Sequence, residues 1–308
     1  MLLPLLGRGK PLSYVRRLPT AVTFYFAIGR EYRKGDLDIA LIAGQRHFLV
    51  PAGTLAARRL RGIPGIHVAL DSQAFPPNNP TRISLADYWQ EVLSWRHGPM
   101  DWGCLDWFAS YDTIGDPKRT KCHELELRRL IAHDAPDAPL MRVVGFGMPV
   151  EATATAILAH PLRGDNRPSY GIGGLAVERY SVAADAWYTR LLEELEKADD
   201  EQLEGVRLHL FGIGKASWVL RSTRGLVTSF DSSGPGRMAG IAGYQRAASR
   251  YTPTYGISIE KLQMSREARL GFYLANYRRS VGLPWNRLDD ALFADDPTPL
   301  PGIQRGES

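Results

Sequence analysis

Short apolar runs alternate along this chain with stretches whose apolar residues recur every three or four positions. That alternation predicts β-α units around a parallel sheet. Candidate strands are Asp38–Ala43, Ile66–Leu70, Leu105–Ser110, Met141–Phe146, Ser169–Gly174, Val206–Phe211 and Leu226–Phe230, with an eighth near Tyr255–Ile259. Ser84 reads as an N-cap ahead of the apolar face Leu85, Tyr88, Trp89, Val92 and Leu93. Trp187, Leu191 and Leu195 mark a second helix, and Leu270, Tyr273, Leu274 and Tyr277 a late one. Seven or eight strands separated by helices, without a mid-chain linker, predict a single-domain (β/α)8 barrel of the TIM type over residues 18–294. Residues 1–17 read as an N-terminal extension and 295–308 as a loosely packed tail, both rich in Pro and Gly. A doubly wound open sheet is the competing architecture. It needs a glycine-rich turn after its first strand, and Gly44-Gln45-Arg46 does not supply one.

In a parallel barrel, chemistry is done at the carboxyl ends of the strands. Two predicted strands deliver an acid there. Ile66–Leu70 runs into Asp71-Ser72-Gln73-Ala74-Phe75, and Leu226–Phe230 into Asp231-Ser232-Ser233-Gly234-Pro235-Gly236. Asp112 follows the strand Leu105–Ser110, with Asp106 on the same segment as its alternative. Gly173-Gly174-Leu175 and Phe211-Gly212 close two further strands. Two carboxylates about 5–6 Å apart can carry a double displacement at a sugar carbon, one as nucleophile and one as acid/base. Acids, close-approach glycines and the faces of Phe75 and Phe211 suit a flat, polar heterocycle. Asp112 would accept from its N–H edge, and amides near Gly174 would donate to a carbonyl oxygen. The same residues have plainer readings: Asp231-Ser232-Ser233-Gly234 is good turn chemistry, and Asp71-Ser72 is a good Asx turn or helix cap.

Composition narrows the partners. The 308 residues are 44% hydrophobic, with 38 Lys+Arg against 33 Asp+Glu, a net charge of +5 that leans toward a polyanion. Only Cys104 and Cys122 occur, which excludes a disulfide framework and points to a reducing, cytoplasmic setting. Met1–Leu6 is too short for a signal-peptide core, and no apolar run is long enough to span a bilayer, so no membrane partner is expected. Cys122 and His123 are adjacent on a helix pattern and point apart, so no metal is expected there. Gly212-Ile213-Gly214-Lys215 lacks phosphate-loop spacing, and no cofactor is expected. After Asp231, Arg237, Arg246, Arg250, Arg266 and Arg269 interleave with Tyr244, Tyr251, Tyr255, Tyr273 and Tyr277. That composition suits phosphate contacts and base stacking on a nucleic-acid strand, and equally a solvated helix face.

Tyr170-Gly171-Ile172-Gly173-Gly174-Leu175-Ala176, then Leu210-Phe211-Gly212-Ile213-Gly214, then Phe230-Asp231 resembles the tRNA-guanine transglycosylase superfamily. Asp71-Ser72-Gln73-Ala74-Phe75 lies upstream, where that family has Asp-Ser-Gly-Gly-aromatic. The resemblance runs from about Asp38 to Gly240. It implies a (β/α)8 barrel that exchanges guanine in a polynucleotide for a free 7-deazaguanine base. It also implies Asp231 as nucleophile and Asp71 as general acid/base. Asp112, Phe75, Ser72, Gly174, Leu175, Phe211 and Gly212 become the base-binding residues. Two departures stand out. Phe146-Gly147 occupies the place of the family's Gln-Gly pair, and every Cys and His precedes Asp231, so the zinc-binding subdomain of the tRNA enzymes is missing in recognisable form. In this the chain resembles the DNA-modifying 7-deazaguanine transglycosylases, which implies DNA as partner, 7-cyano-7-deazaguanine as one incoming base, and restriction evasion as the purpose. Action on tRNA, a non-catalytic nucleic-acid-binding paralogue and an unrelated retaining glycosidase are the alternatives, and a homodimer stays open.

Overall fold

A computed structural model of the chain describes residues 22–29, 34–42, 44–74, 79–159, 170–175, 181–213, 221–222, 224–233 and 274. Eight strands run in chain order: β1 (Thr23–Ala27), β2 (His47–Pro51), β3 (His67–Asp71), β4 (Leu105–Ala109), β5 (Leu140–Gly145), β6 (Tyr170–Gly173), β7 (Leu208–Leu210) and β8 (Val227–Ser232). All neighbours pair in parallel, and β8 pairs with β1, so the sheet is a closed barrel with no open edge. Helices α1 (Lys34–Ile42), α2 (Leu55–Leu60), α3 (Leu85–Leu93), α4 (Pro117–Asp134), α5 (Val150–Leu158), α6 (Ser181–Leu195) and α7 (Asp200–Leu203) fall between strands, which makes the fold a (β/α)8 barrel. No helix among the described residues is long and apolar enough to cross a membrane.

The strands carry two apolar faces, as burial on both sides demands. One set of residues packs beneath the helices: Phe24, Phe26, Phe48, Val50, Val68, Leu70, Phe108, Tyr170, Ile172, Leu208, Leu210 and Phe230. The alternate set fills the barrel: Tyr25, Leu49, Ala69, Trp107, Ala109, Met141 and Val143, with Ala27 and Phe211 packed against them. Strand β6 gives the interior only glycines. A Cβ on Gly171 would lie 2.3 Å from Phe211 Cε2 and 2.9 Å from Met141 Cε, so the missing side chain makes room for that ring.

Two register shifts adjust this parity. In β8, Leu208 faces Val227 but His209 faces Ser229, which leaves Thr228 as an extra residue. The extra residue keeps Phe230 under the helices, 5.3 Å from the Phe24 ring, and turns Asp231 inward. In β4, Val68 faces Leu105 while Ala69 faces Trp107, so Asp106 is the extra residue.

Six predicted strands match β3 to β8 within a few residues. The predicted strand Asp38–Ala43 is instead part of α1. Leu37 and Ala40 are buried one helical turn apart, and a short apolar run cannot by itself distinguish the two periods. The true first strands were unmarked: β1 is an aromatic segment and β2 holds only three apolar residues between a His and a Pro. The predicted eighth strand, 255–259, lies outside the described residues, and β8 already closes the barrel. Both predicted extensions, 1–17 and 295–308, also lie outside them. The α3 prediction holds. Ser84 accepts a hydrogen bond from the Asp87 amide at 3.1 Å, and Tyr88, Trp89 and Val92 are buried. Of the predicted late helix, Leu274 alone is described, and it is helical and buried.

Candidate active site

Parity places an acid at the C-terminal mouth on β3. Ala69 faces the interior, so Asp71, two residues on and last in its strand, faces the same way. Its main chain is locked into the neighbouring strand by Ala52 N–H donating to Asp71 O at 3.1 Å. The chain then turns sharply, with Gln73 at φ 63°, a left-handed conformation that costs a side-chain-bearing residue about 1–2 kcal/mol. The buried Gln73 amide holds this turn by donating to Ala52 O.

Asp112 comes from the end of β4. Tyr88 Oη donates to Ala109 O at 2.6 Å and Val143 N–H donates to Ser110 Oγ at 2.9 Å, which fixes the segment that presents it. Ser72 Oγ donates to Asp112 Oδ1 at 2.6 Å, a direct link between the β3 and β4 ends. Arg82, from the segment before α3, clamps the junction. Its Nε donates to Ser72 O at 2.9 Å, its Nη2 to Ser72 Oγ at 3.2 Å, and its guanidinium lies 3.7 Å above the Tyr111 ring.

Asp231 lies deeper, at 3% exposure, while Asp71 and Asp112 keep partial access to solvent. Its Oδ1 accepts from the Gly212 amide at 2.8 Å and lies 3.2 Å from His209 Nε2. His209 is wholly buried, its other ring nitrogen 2.9 Å from Ser229 Oγ. Burial lowers the His209 pKa, with Asp231 acting in the opposite direction. A neutral ring satisfies both contacts when Nε2–H donates to Asp231 and Nδ1 accepts from Ser229.

Electrostatics join the three acids. Burial, then the charges of Asp112 and Asp231, raise the Asp71 pKa to about 7, against the smaller opposing pull of Arg82 and a hydrogen bond from the Gln73 backbone. Asp112 is also raised, chiefly by burial, with Ser72 and Arg82 opposing. A carboxyl poised near neutrality beside two others is the arrangement that separates acid from base within one site.

A small cleft of about 30 Å3, partly open to solvent, runs from Asp112 past Val143, Gly145 and Phe146 to Gly173 and Gly174, with Asp112 its one acid. Glycines shape it. A Cβ on Gly145 would meet Gly173 O at 3.0 Å, and one on Gly173 would come within 3.9 Å of Asp112 Oδ2. Gly174 has φ 78°, and a Cβ there would press on Phe146 at 3.2 Å. Phe146 lines the cleft with an apolar ring, 6.4 Å from Trp187.

Of the sequence-predicted site residues, Asp71, Ser72, Asp112, Asp231, Gly174, Phe211 and Gly212 cluster at this end of the barrel. Phe211 packs inside the mouth, edge-on to His209 at 4.7 Å and Trp107 at 6.1 Å. The Gly212 amide is engaged by Asp231. Leu175 is buried just past Gly174. Asp106, the alternative to Asp112, bonds the Tyr25 hydroxyl and His67, the first residue of β3, at the other end of the barrel. Phe75 and the arginines Arg237, Arg246, Arg250, Arg266 and Arg269 lie outside the described residues. Arg82 and His209 are site residues to which the sequence reading assigns no site role. Arg82 carries no local signal, whereas His209, polar between Leu208 and Leu210 and two residues before Phe211, was legible as an inward-facing strand position.

Fold and site together define a (β/α)8 barrel with a carboxylate-lined C-terminal mouth. No protein-family model matches the chain, and no curated protein matches it.

Proposed function

We propose that the chain is a base-exchange glycosyltransferase that replaces guanine in DNA with a free 7-deazaguanine such as 7-cyano-7-deazaguanine. The observation that carries this reading is the Asp71 carboxyl at the catalytic end of a parallel barrel, its pKa raised to about 7 first by burial and then by the charges of Asp112 and Asp231. A second observation supports it. Gln73 holds a left-handed conformation where the transglycosylase motif resembled here has glycine, the residue to which that conformation costs least.

In the proposed reaction a guanosine is flipped out of the stack, at a cost of about a few kcal/mol, to the barrel mouth beside Asp112. Asp112 accepts hydrogen bonds from the base edge, each worth about 1.5–3 kcal/mol to a charged acceptor. The Asp231 carboxylate attacks the anomeric carbon as the glycosidic C–N bond breaks. Asp71 gives its proton to the departing guanine. The incoming deazapurine then loses its N9 proton to Asp71, its nitrogen attacks the same carbon, and the C–O bond to Asp231 breaks with net retention. His209 and the Gly212 amide hold Oδ1 of Asp231, which orients the other carboxylate oxygen for attack. No redox step is needed, since the two displacements balance.

The test is incorporation of isotopically labelled guanine, and separately of 7-cyano-7-deazaguanine, into duplex DNA, single-stranded DNA and unmodified tRNA. Label entering DNA, lost in Asp231→Asn, supports the reading. Label entering tRNA alone would reassign the substrate, and exchange into neither would favour a non-catalytic binding role.

A further inference from the structure

The opposite end of the barrel holds a second cluster of polar side chains that the proposed chemistry does not use. His47 opens β2, His67 opens β3, and Asp106 is the extra residue of the β4 bulge. One ligand atom from each falls within 4.8 Å of the other two. The His67 Nδ1 to Asp106 Oδ1 separation is 2.9 Å, and the two imidazoles stack with centroids 4.5 Å apart. We propose that His47, His67 and Asp106 bind a divalent first-row transition-metal ion, with Zn2+ as the best fit, at the N-terminal mouth of the barrel.

Three features point to an ion here. The donor set, two imidazoles and one carboxylate, is that of intermediate metals and not of Ca2+ or Mg2+. The bulge matters as well: a register shift at a barrel rim re-aims a side chain, and here Asp106 meets both a Tyr25 hydroxyl inside the barrel and His67 at its rim. The third feature is an outer layer of support. Tyr25 Oη donates to Asp106 Oδ2 at 2.8 Å, Trp107 Nε1 donates to Tyr25 Oη at 3.2 Å, and Oδ1 is left turned toward the histidines. Ligating carboxylates are commonly anchored in this way. Zn–N bonds of about 2.0–2.1 Å put tetrahedral donors about 3.3 Å apart, so closure needs about 1.5 Å of side-chain rotation, and water completes the shell. Half of the His67 side chain is exposed, which gives the ion a route in. The ion ties β2, β3 and β4 together at the N-terminal end of the barrel.

The test uses the full-length chain, stripped with chelator and titrated with Zn2+ alone by calorimetry, with Co2+ absorption as a second probe. The expected result is one equivalent bound at micromolar or tighter affinity, a Zn2+-dependent rise in Tm, and Co2+ bands of a tetrahedral or five-coordinate site. His67→Asn and Asp106→Asn should each weaken Zn2+ by about 100-fold and abolish the Tm rise, while His133→Ala and Cys104→Ser leave both unchanged. His67 is half-exposed, so its variant carries the test even if Asp106→Asn fails to fold. Binding weaker than about 100 µM in the unaltered chain, or equal affinity in His67→Asn, would overturn the proposal and leave a hydrogen-bonded cluster.

Discussion

Asp231 Oδ1 lies 3.2 Å from His209 Nε2, and both side chains are buried, so the acid near the end of β8 is held by an imidazole from β7. His209 faces inward by the parity of β7, whereas Asp231 reaches the interior only because Thr228 is an extra residue in β8. Removing the imidazole leaves the buried carboxylate with the Gly212 amide as its remaining donor among the described residues. His209→Phe keeps the ring volume and should cost about 1–3 kcal/mol, read as a lowered urea midpoint. In the Asp231→Asn background the same change should cost much less, because the charge it strands is gone.

The Thr228 bulge gives a sharper structural test. Thr228 Oγ1 is buried and has no hydrogen-bond partner among the described residues, so Thr228→Val should be neutral or stabilising by up to about 1–2 kcal/mol. Deleting Thr228 should instead swap Phe230 and Asp231 between the two faces of the sheet and prevent cooperative folding. Circular dichroism melts of the two variants separate these outcomes. A folded deletion variant would show that the register shift does not set the direction of Asp231.

Asp71 sets a pH signature. Its folded pKa, about 7, is above the ordinary carboxyl value, so the folded state binds this proton more tightly than the unfolded chain. Its contribution is therefore fully present below about pH 4 and is lost as pH rises through about 7. Asp71→Asn should raise stability at pH 8, by on the order of 1–2 kcal/mol after screening at a partly open group, and the difference should vanish near pH 4. Exchange activity should fall on the alkaline side of about 7 as the acid is lost. Arg82→Gln, which removes a charge that lowers Asp71 and Asp112, should move that limb upward.

The glycines of β6 make a prediction about space. Gly171→Ala puts a methyl 2.3 Å from Phe211, whose ring stands against His209 and Trp107. The change should destabilise by about 1–3 kcal/mol and quench exchange by displacing that ring. Gly62→Ala, where a Cβ meets nothing within 4 Å, is the control and should leave both unchanged.

The ends of strands were the legible part of this chain. Ile66–Leu70 and Leu226–Phe230 are apolar segments that run into an acid, and both acids sit at the barrel mouth as that pattern implied. Asp38–Ala43 is ambiguous because its apolar residues satisfy either period, and β1 and β2 give a weak signal because each has only three buried residues, bounded by Thr, His or Pro. Arg82 was invisible because its role depends on a fold-level meeting of two strand ends. The cluster at the other mouth was invisible for the same reason: its members lie on three strands, and the bulge that aims Asp106 leaves no trace in composition.

Trapping a covalent intermediate identifies the nucleophile. Protein mixed with a guanine-containing oligonucleotide is quenched in acid, digested and mapped by mass spectrometry for a sugar-linked peptide. The expected result is an adduct on the peptide bearing Asp231, absent in Asp231→Asn and released when a deazapurine base is added before quenching. An adduct on Asp71 or Asp112, or one that persists in Asp231→Asn, would contradict it.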